Sequence, residues 1–182
     1  MLRHRHGTAA GIRPGAGAGG GNGGGQLAAS PATTTLVVNS LREASRYCGA
    51  IAQKSYVVDC LAERLEDVNR RMAATDGYGE VRDALSQATR GLNQIARQNR
   101  SATQPSARFR QTSSDGAQIT TSRKLVPVAP EKQEAAILQA IAIIEETETI
   151  LLRSAESSSA RAAQFQRIAA AVGSNKVLLR SL

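Results

Sequence analysis

Apolar positions along the chain fall into three long series. The first runs Val37, Leu41, Ala44, Cys48, Ile51, Ser55, Val58, Ala62, Leu65, Asn69, Met72, in alternating steps of four and three. A repeat averaging 3.5 residues is the pattern of a coiled-coil helix, and forty such residues span about 60 Å. Three threonines, Thr33 to Thr35, offer caps for a helix beginning near Leu36. After TDGYG the same alternation resumes with Val81, Leu85, Ala88, Leu92, Ile95, Asn99. Asp76, Gly77 and Gly79 supply turn chemistry, so either a hairpin folds here or a long rod bends; the short loop favours the antiparallel hairpin.

The third series is Ile137, Ile141, Ile144, Glu148, Leu151, Ala155, Ser158, Ala162, Phe165, Ala169, Val172. Pro130 suits a first helical turn, and Glu131 and Glu134 suit the positive end of the helix dipole. One long helix is predicted from 131 to 173, stopped by GSN, followed by a short amphipathic tail over 174–182. The expected fold is all-α: a helical hairpin or bent coiled coil over 36–99, then a third long helix. Residues 100–130, polar, rich in Ser, Thr and Arg and with three prolines, read as a linker.

Residues 1–35 change the picture at the front. Ten of the 16 glycines lie between Gly7 and Gly25 with no periodic apolar residue among them. Such a segment buries too little to offset the entropy of ordering it, so a disordered tail is expected. Its three arginines precede any acid, as in a mitochondrial transit peptide, although no good amphipathic helix accompanies them.

The net charge of +8 would suggest a phosphate-rich partner, but its placement argues otherwise. The tail carries +3 and the linker +4, whereas the two helical regions stand at +1 and −2. Arg100, Arg108, Arg110, Arg123 and Lys124 of the linker are the candidate contacts to phosphates or an acidic surface. Phe109, between two of them, is a candidate anchor for a base, although a lone loop aromatic usually is not one. No run of about 20 apolar residues exists, so no membrane span is expected.

Cys48 and Cys60 both fall in the first series. On one continuous helix they would stand about 18 Å apart, beyond disulfide reach, and they read as small buried hydrophobes in a reducing compartment. His4 and His6 are the only histidines, both in the tail, so no Ser–His–Asp or Cys–His arrangement forms in the helical part. The HRH triplet is at most a weak metal chelator. IIEETE, residues 143–148, clusters carboxylates without the Glu-x-x-His spacing of a metal-carboxylate bundle and reads as solvated helix surface. No phosphate loop or dinucleotide fingerprint is present. No enzyme activity, cofactor, metal site or small-molecule substrate is expected.

The series themselves are thinly filled. Ser55, Asn69, Asn99, Glu148 and Ser158 put polar groups where large apolar ones would stabilise most, and six alanines bury little each. Helices of this kind are expected to be marginal alone and completed by partners. Asn69 and Glu148 are candidates for fixing register; the alternative is that they face water.

LAERLEDVNRR (61–71), with Arg64, Leu65, Glu66 and Arg70, resembles the N-terminal coiled coil of the smallest shoulder subunit of dynactin. So does VRDALSQATRGLNQI (81–95), with Val81, Asp83, Leu85, Leu92 and Ile95. ARAAQFQRIAAAV (160–172) is similar to a late segment of that family through Ala162, Ala163, Gln166, Arg167 and Ala169. The resemblance implies a non-enzymatic subunit of the cytoplasmic, cytoskeleton-associated complex that works with dynein on microtubules. The resulting expectation is a helical scaffold subunit that binds other helical proteins, with self-association open. Leu41, Ile51, Val58, Leu65, Leu85, Leu92, Ile141, Ile144, Leu151 and Phe165 are its partner-binding anchors. The competing expectations are a nucleic-acid-binding module with basic flexible arms and a mitochondrial helical subunit.

Overall fold

In a computed structural model the chain is mostly helical, and the structure describes residues 29–72, 75–113, 115–156 and 159–182. The Gly-rich tail expected over 1–35, with His4 and His6, lies outside the described residues apart from its last seven positions. Five of those seven already belong to the first helix.

Helix α1 spans Pro31–Gly49 and starts earlier than the threonines suggest. Ser30 is its cap: the hydroxyl accepts from the Thr33 amide at 3.1 Å, and Pro31 stands at the first position, where no amide is needed. Helix α2 spans Val57–Arg71. The expected single helix is therefore two, joined by Ala50–Tyr56, whose last three residues make a 3-10 turn. This connector is seven residues long, one full heptad. The four-three alternation passes through it without a change of phase, which hides the break.

The break overturns the reading of the cysteines. Cys48 at the end of α1 and Cys60 in the first turn of α2 form a disulfide, with Cα atoms 5.7 Å apart and both residues fully buried. The distance argument against a bridge required an unbroken helix, and the helix ends one residue after Cys48.

Helix α3, Gly79–Gln98, follows a turn in which Gly77 takes φ 79°, a left-handed conformation that glycine adopts at no steric cost. Near that turn the Asn69 amide donates to Ser86 Oγ at 2.8 Å; further away Asp59 and Asn93 share the guanidinium of Arg123. The two helices thus run in opposite directions side by side. Every residue of α2 from Val57 to Leu65 is buried, which makes it the central helix of the molecule.

The expected 131–173 helix is also two. Helix α4 spans Gln133–Glu156 and α5 spans Ser159–Gly173. The chain reverses between them: Gly173, at the end of α5, lies so close to Glu148 of α4 that an added Cβ would stand 2.6 Å from its carboxylate. Gly91 serves the same purpose between α3 and α4, where Ile143 would be 2.6 Å from a Cβ. The tail over 174–182 forms a short helix α6, Asn175–Arg180, tied to α4 by Lys176–Glu148 (2.6 Å) and Arg180–Glu145 (3.3 Å).

One hydrophobic cluster runs through all of these helices, from Ala29 to Leu179. Tyr78 and Phe165 stack at its centre, 6.4 Å between rings, and the Tyr78 hydroxyl is satisfied by Thr34 Oγ1 (2.8 Å) and the Ser30 carbonyl (2.9 Å). No helix among the described residues is long and apolar enough to cross a membrane.

Candidate functional site

The polar stretch read as a linker is instead an arm folded back on itself. Arg100 faces Val128 and Ala107 faces Leu125 in antiparallel bridges, and strands β1 (Arg110–Thr112) and β2 (Gln118–Thr120) pair beyond them. Gly116, at φ 85°, closes the tip. The arm lies along the α1–α2 junction. Tyr47 and Tyr56 donate to the carbonyls of Phe109 (2.7 Å) and Pro105 (2.6 Å), and Gln111 Nε2 donates to the Tyr47 carbonyl (3.0 Å). Phe109 packs edge-on against Tyr56, 4.9 Å between centroids.

Two carboxylates on α2 hold the arm hardest. Asp59 and Glu63 stand one turn apart, each 1% exposed. Asp59 takes a two-pronged contact from Arg123, at 2.6 and 2.8 Å, and the Val126 amide at 2.7 Å. The same guanidinium donates to Asn93 Oδ1 of α3 at 2.7 Å, so one arginine ties the arm to both helices. Glu63 accepts from Arg64 through both oxygens, and from the amide and hydroxyl of Ser122 at 2.8 and 2.7 Å.

Burial works against the Glu63 carboxylate, but the bonds from Arg64 and Ser122 outweigh it and hold its pKa below the usual value. Burial likewise opposes the charges of Arg64 and Arg123, and their carboxylate partners override it and raise both. Tyr47 is pushed up by burial, partly offset by the Arg64 guanidinium 4.9 Å over its ring. Each carboxylate is occupied by charged or backbone donors. To act as a base, either would first have to give up a charge-assisted hydrogen bond. Chemically the cluster is a clasp.

Nine of the ten anchors expected to bind partners face the chain's own core: Leu41, Ile51, Val58, Leu65, Leu85, Leu92, Ile144, Leu151 and Phe165 are 2% exposed or less. Ile141 is half-buried. They are unavailable to another chain because the reversals at 50–56 and between α4 and α5 bring them together. The polar members of the series also find partners within the chain: Ser55 donates to Gln104 (2.9 Å), Asn69 Nδ2 to Ser86, Asn99 to the Ile95 carbonyl (2.9 Å), and Glu148 pairs with Lys176; Asn69 Oδ1 is left without one. Ser158 lies outside the described residues.

Of the five linker cations, Arg123 is spent on Asp59, and Arg108 donates weakly to the Thr121 carbonyl at 3.4 Å. Arg100, Arg110 and Lys124 are exposed and spread along the arm. Sequence reasoning missed Asp59 and Glu63. Their signal was there: two acids four residues apart inside VVDCLAERL, a stretch otherwise apolar on every side until its arginine.

A different face of α4 points outward, with Glu145 within it paired to Arg180 of α6. On α4, Leu138, Ala142, Glu145, Thr149 and Leu152 are all exposed, and they repeat the four-three spacing one residue out of step with the buried series. Leu138 is 61% exposed and Leu152 42%. Among the described residues no group of His, Cys, Asp or Glu is placed to hold a metal. The chain matches no family model, no curated protein and no solved structure.

Proposed function

We propose that this chain is a non-enzymatic helical subunit that binds a helix of another protein along the outer stripe of α4. The exposed Leu138 and Leu152 carry the reading. They lie fourteen residues apart, about 21 Å of helix, at the two ends of a heptad-spaced row that the chain's own core leaves uncovered. An amphipathic partner helix seated there would bury both leucines and meet Thr149 between them. The partner-binding idea from the sequence is kept, on other residues.

The buried disulfide favours an oxidising compartment. It weighs against the cytoplasmic, dynactin-like role that the resemblance implies. The exposed arm cations Arg100, Arg110 and Lys124 are the remaining support for a nucleic-acid reading, reduced by the loss of Arg123 to Asp59.

The test is isolation of the protein from its own cells under mild salt, with identification of what accompanies it. A Leu138→Glu, Leu152→Glu double variant should lose that companion while melting as the parent does. Equal recovery by the variant, a solitary protein that turns over a small molecule, or salt-sensitive nucleic-acid binding in place of a protein companion would overturn the reading.

A further inference from the structure

A second feature lies on the opposite side of the α2–α3 pair from the core: a groove of about 550 Å³ between the two helices. Its lining includes Asn69 of α2 and Ser86 and Thr89 of α3, with Glu66, Asp83 and Arg90 around them. Two buried oxygens here have no hydrogen-bond partner, Asn69 Oδ1 and Thr89 Oγ1. Thr89 is only 8% exposed. A helical threonine ordinarily satisfies its hydroxyl on the carbonyl four residues back, as Thr35, Thr147 and Thr149 do at 2.7–2.9 Å. Thr89 does not, and a buried hydroxyl left this way costs stability unless something fills the groove.

The charges around these oxygens are of both signs and partly unused. Arg70 is paired with Asp67, and Arg82 is committed to the Thr75 carbonyl at 2.5 Å. Glu66 of α2 makes no ion pair among the described residues, and neither do the exposed Asp83 and Arg90. They stand seven residues apart on α3, two turns along one face, with Ser86 and Thr89 between them.

We infer that this groove is a binding site for a small zwitterion, an aminocarboxylate such as a free amino acid. Its carboxylate is held by Arg90 and the Thr89 hydroxyl, both donors. Its ammonium is held by Asp83 and Asn69 Oδ1, both acceptors. A sugar would satisfy the neutral oxygens and leave the charges of both signs unused; a simple anion would use only the basic end.

The test is titration of the full, disulfide-intact chain with glycine, L-alanine and 4-aminobutanoate, read by calorimetry and by amide chemical shifts. Acetate, methylammonium and glucose serve as comparisons. Saturable binding of an aminocarboxylate in the range of about 1 mM or tighter is expected, with shifts confined to α2 and α3. Thr89→Val keeps the shape and removes the hydroxyl; Asp83→Asn removes the charge at an exposed position. Each should weaken binding about tenfold without lowering the melting temperature. No saturable binding to any aminocarboxylate means the groove holds water only and overturns the inference. So does glucose or acetate binding as tightly as the aminocarboxylates, or a Thr89→Val protein that binds as the parent does.

Discussion

The arm over residues 100–129 and helix α4 are built from opposite materials and end in opposite situations. The arm is polar, charged and broken by prolines, yet it is fixed to α2 through Arg123, Ser122 and the Val126 amide on two buried carboxylates. Helix α4 is rich in Ile and Leu, yet Leu138 and Leu152 face water. The difference teaches that average polarity does not decide burial. What decides it is whether each group finds a partner: a charge inside needs a counter-charge and donors, whereas single apolar groups can stay in water at modest cost.

The comparison breaks most easily at Asp59. Asp59→Ala leaves Arg123 without its counter-charge and should cost about 3 kcal/mol, at the lower end for a broken buried pair because Arg123 is partly in water. Urea unfolding monitored by circular dichroism reads this directly. A loss under about 1 kcal/mol would mean that the arm is not clasped. Replacing Asp59 and Arg123 together by leucine sharpens the point, since much of the loss should return once neither charge is buried.

Next in size is the staple beneath the arm. Cys48→Ser with Cys60→Ser, or reduction of the unfolded chain, should lower stability by about 2–4 kcal/mol, chiefly by freeing the unfolded ensemble. Unchanged unfolding with and without reductant would show that the bridge contributes nothing.

Acid should loosen the arm. Glu63 is held below its ordinary pKa of 4.5, so its contribution is complete above that value and is lost as pH falls through the folded-state pKa. The melting temperature should therefore decline below about pH 4.5, and Glu63→Gln, although weaker at neutral pH, should show a flatter decline. An identical acid slope in the two proteins would count against this assignment. The smallest effect belongs to α4: Leu138→Gln with Leu152→Gln should move the stability of the isolated chain by no more than about 0.5 kcal/mol per site, because neither side chain is part of the core. A larger loss would put them in the fold after all.

Helix existence was legible in the sequence, since Leu41, Leu65, Leu85, Leu92, Ile144 and Phe165 mark the buried faces correctly. Reversals were not. A connector of seven residues preserves heptad phase, so Ile51 continues the series although it sits in a loop. The same alternation spans 156–159, where α5 folds back on α4. With the reversals hidden, one chain's core looked like three unpaired edges. The clasp was illegible for a different reason: Asp59 and Glu63 meet Arg123 and Ser122 from 59 to 64 residues away, and no local pattern encodes such a meeting.

The connector between α1 and α2 also fixes an order of events. Gly49, the last residue of α1, lies close enough to Leu178 of α6 that a Cβ at position 49 would stand 3.2 Å from it, and the two cysteines on either side of the connector are sealed from solvent. Cys48 and Cys60 are both synthesised before most of the chain that folds around them. An oxidant therefore has a window that opens when residue 60 is exposed and shuts when folding buries both sulfurs, and a chain that misses it would close over two thiols.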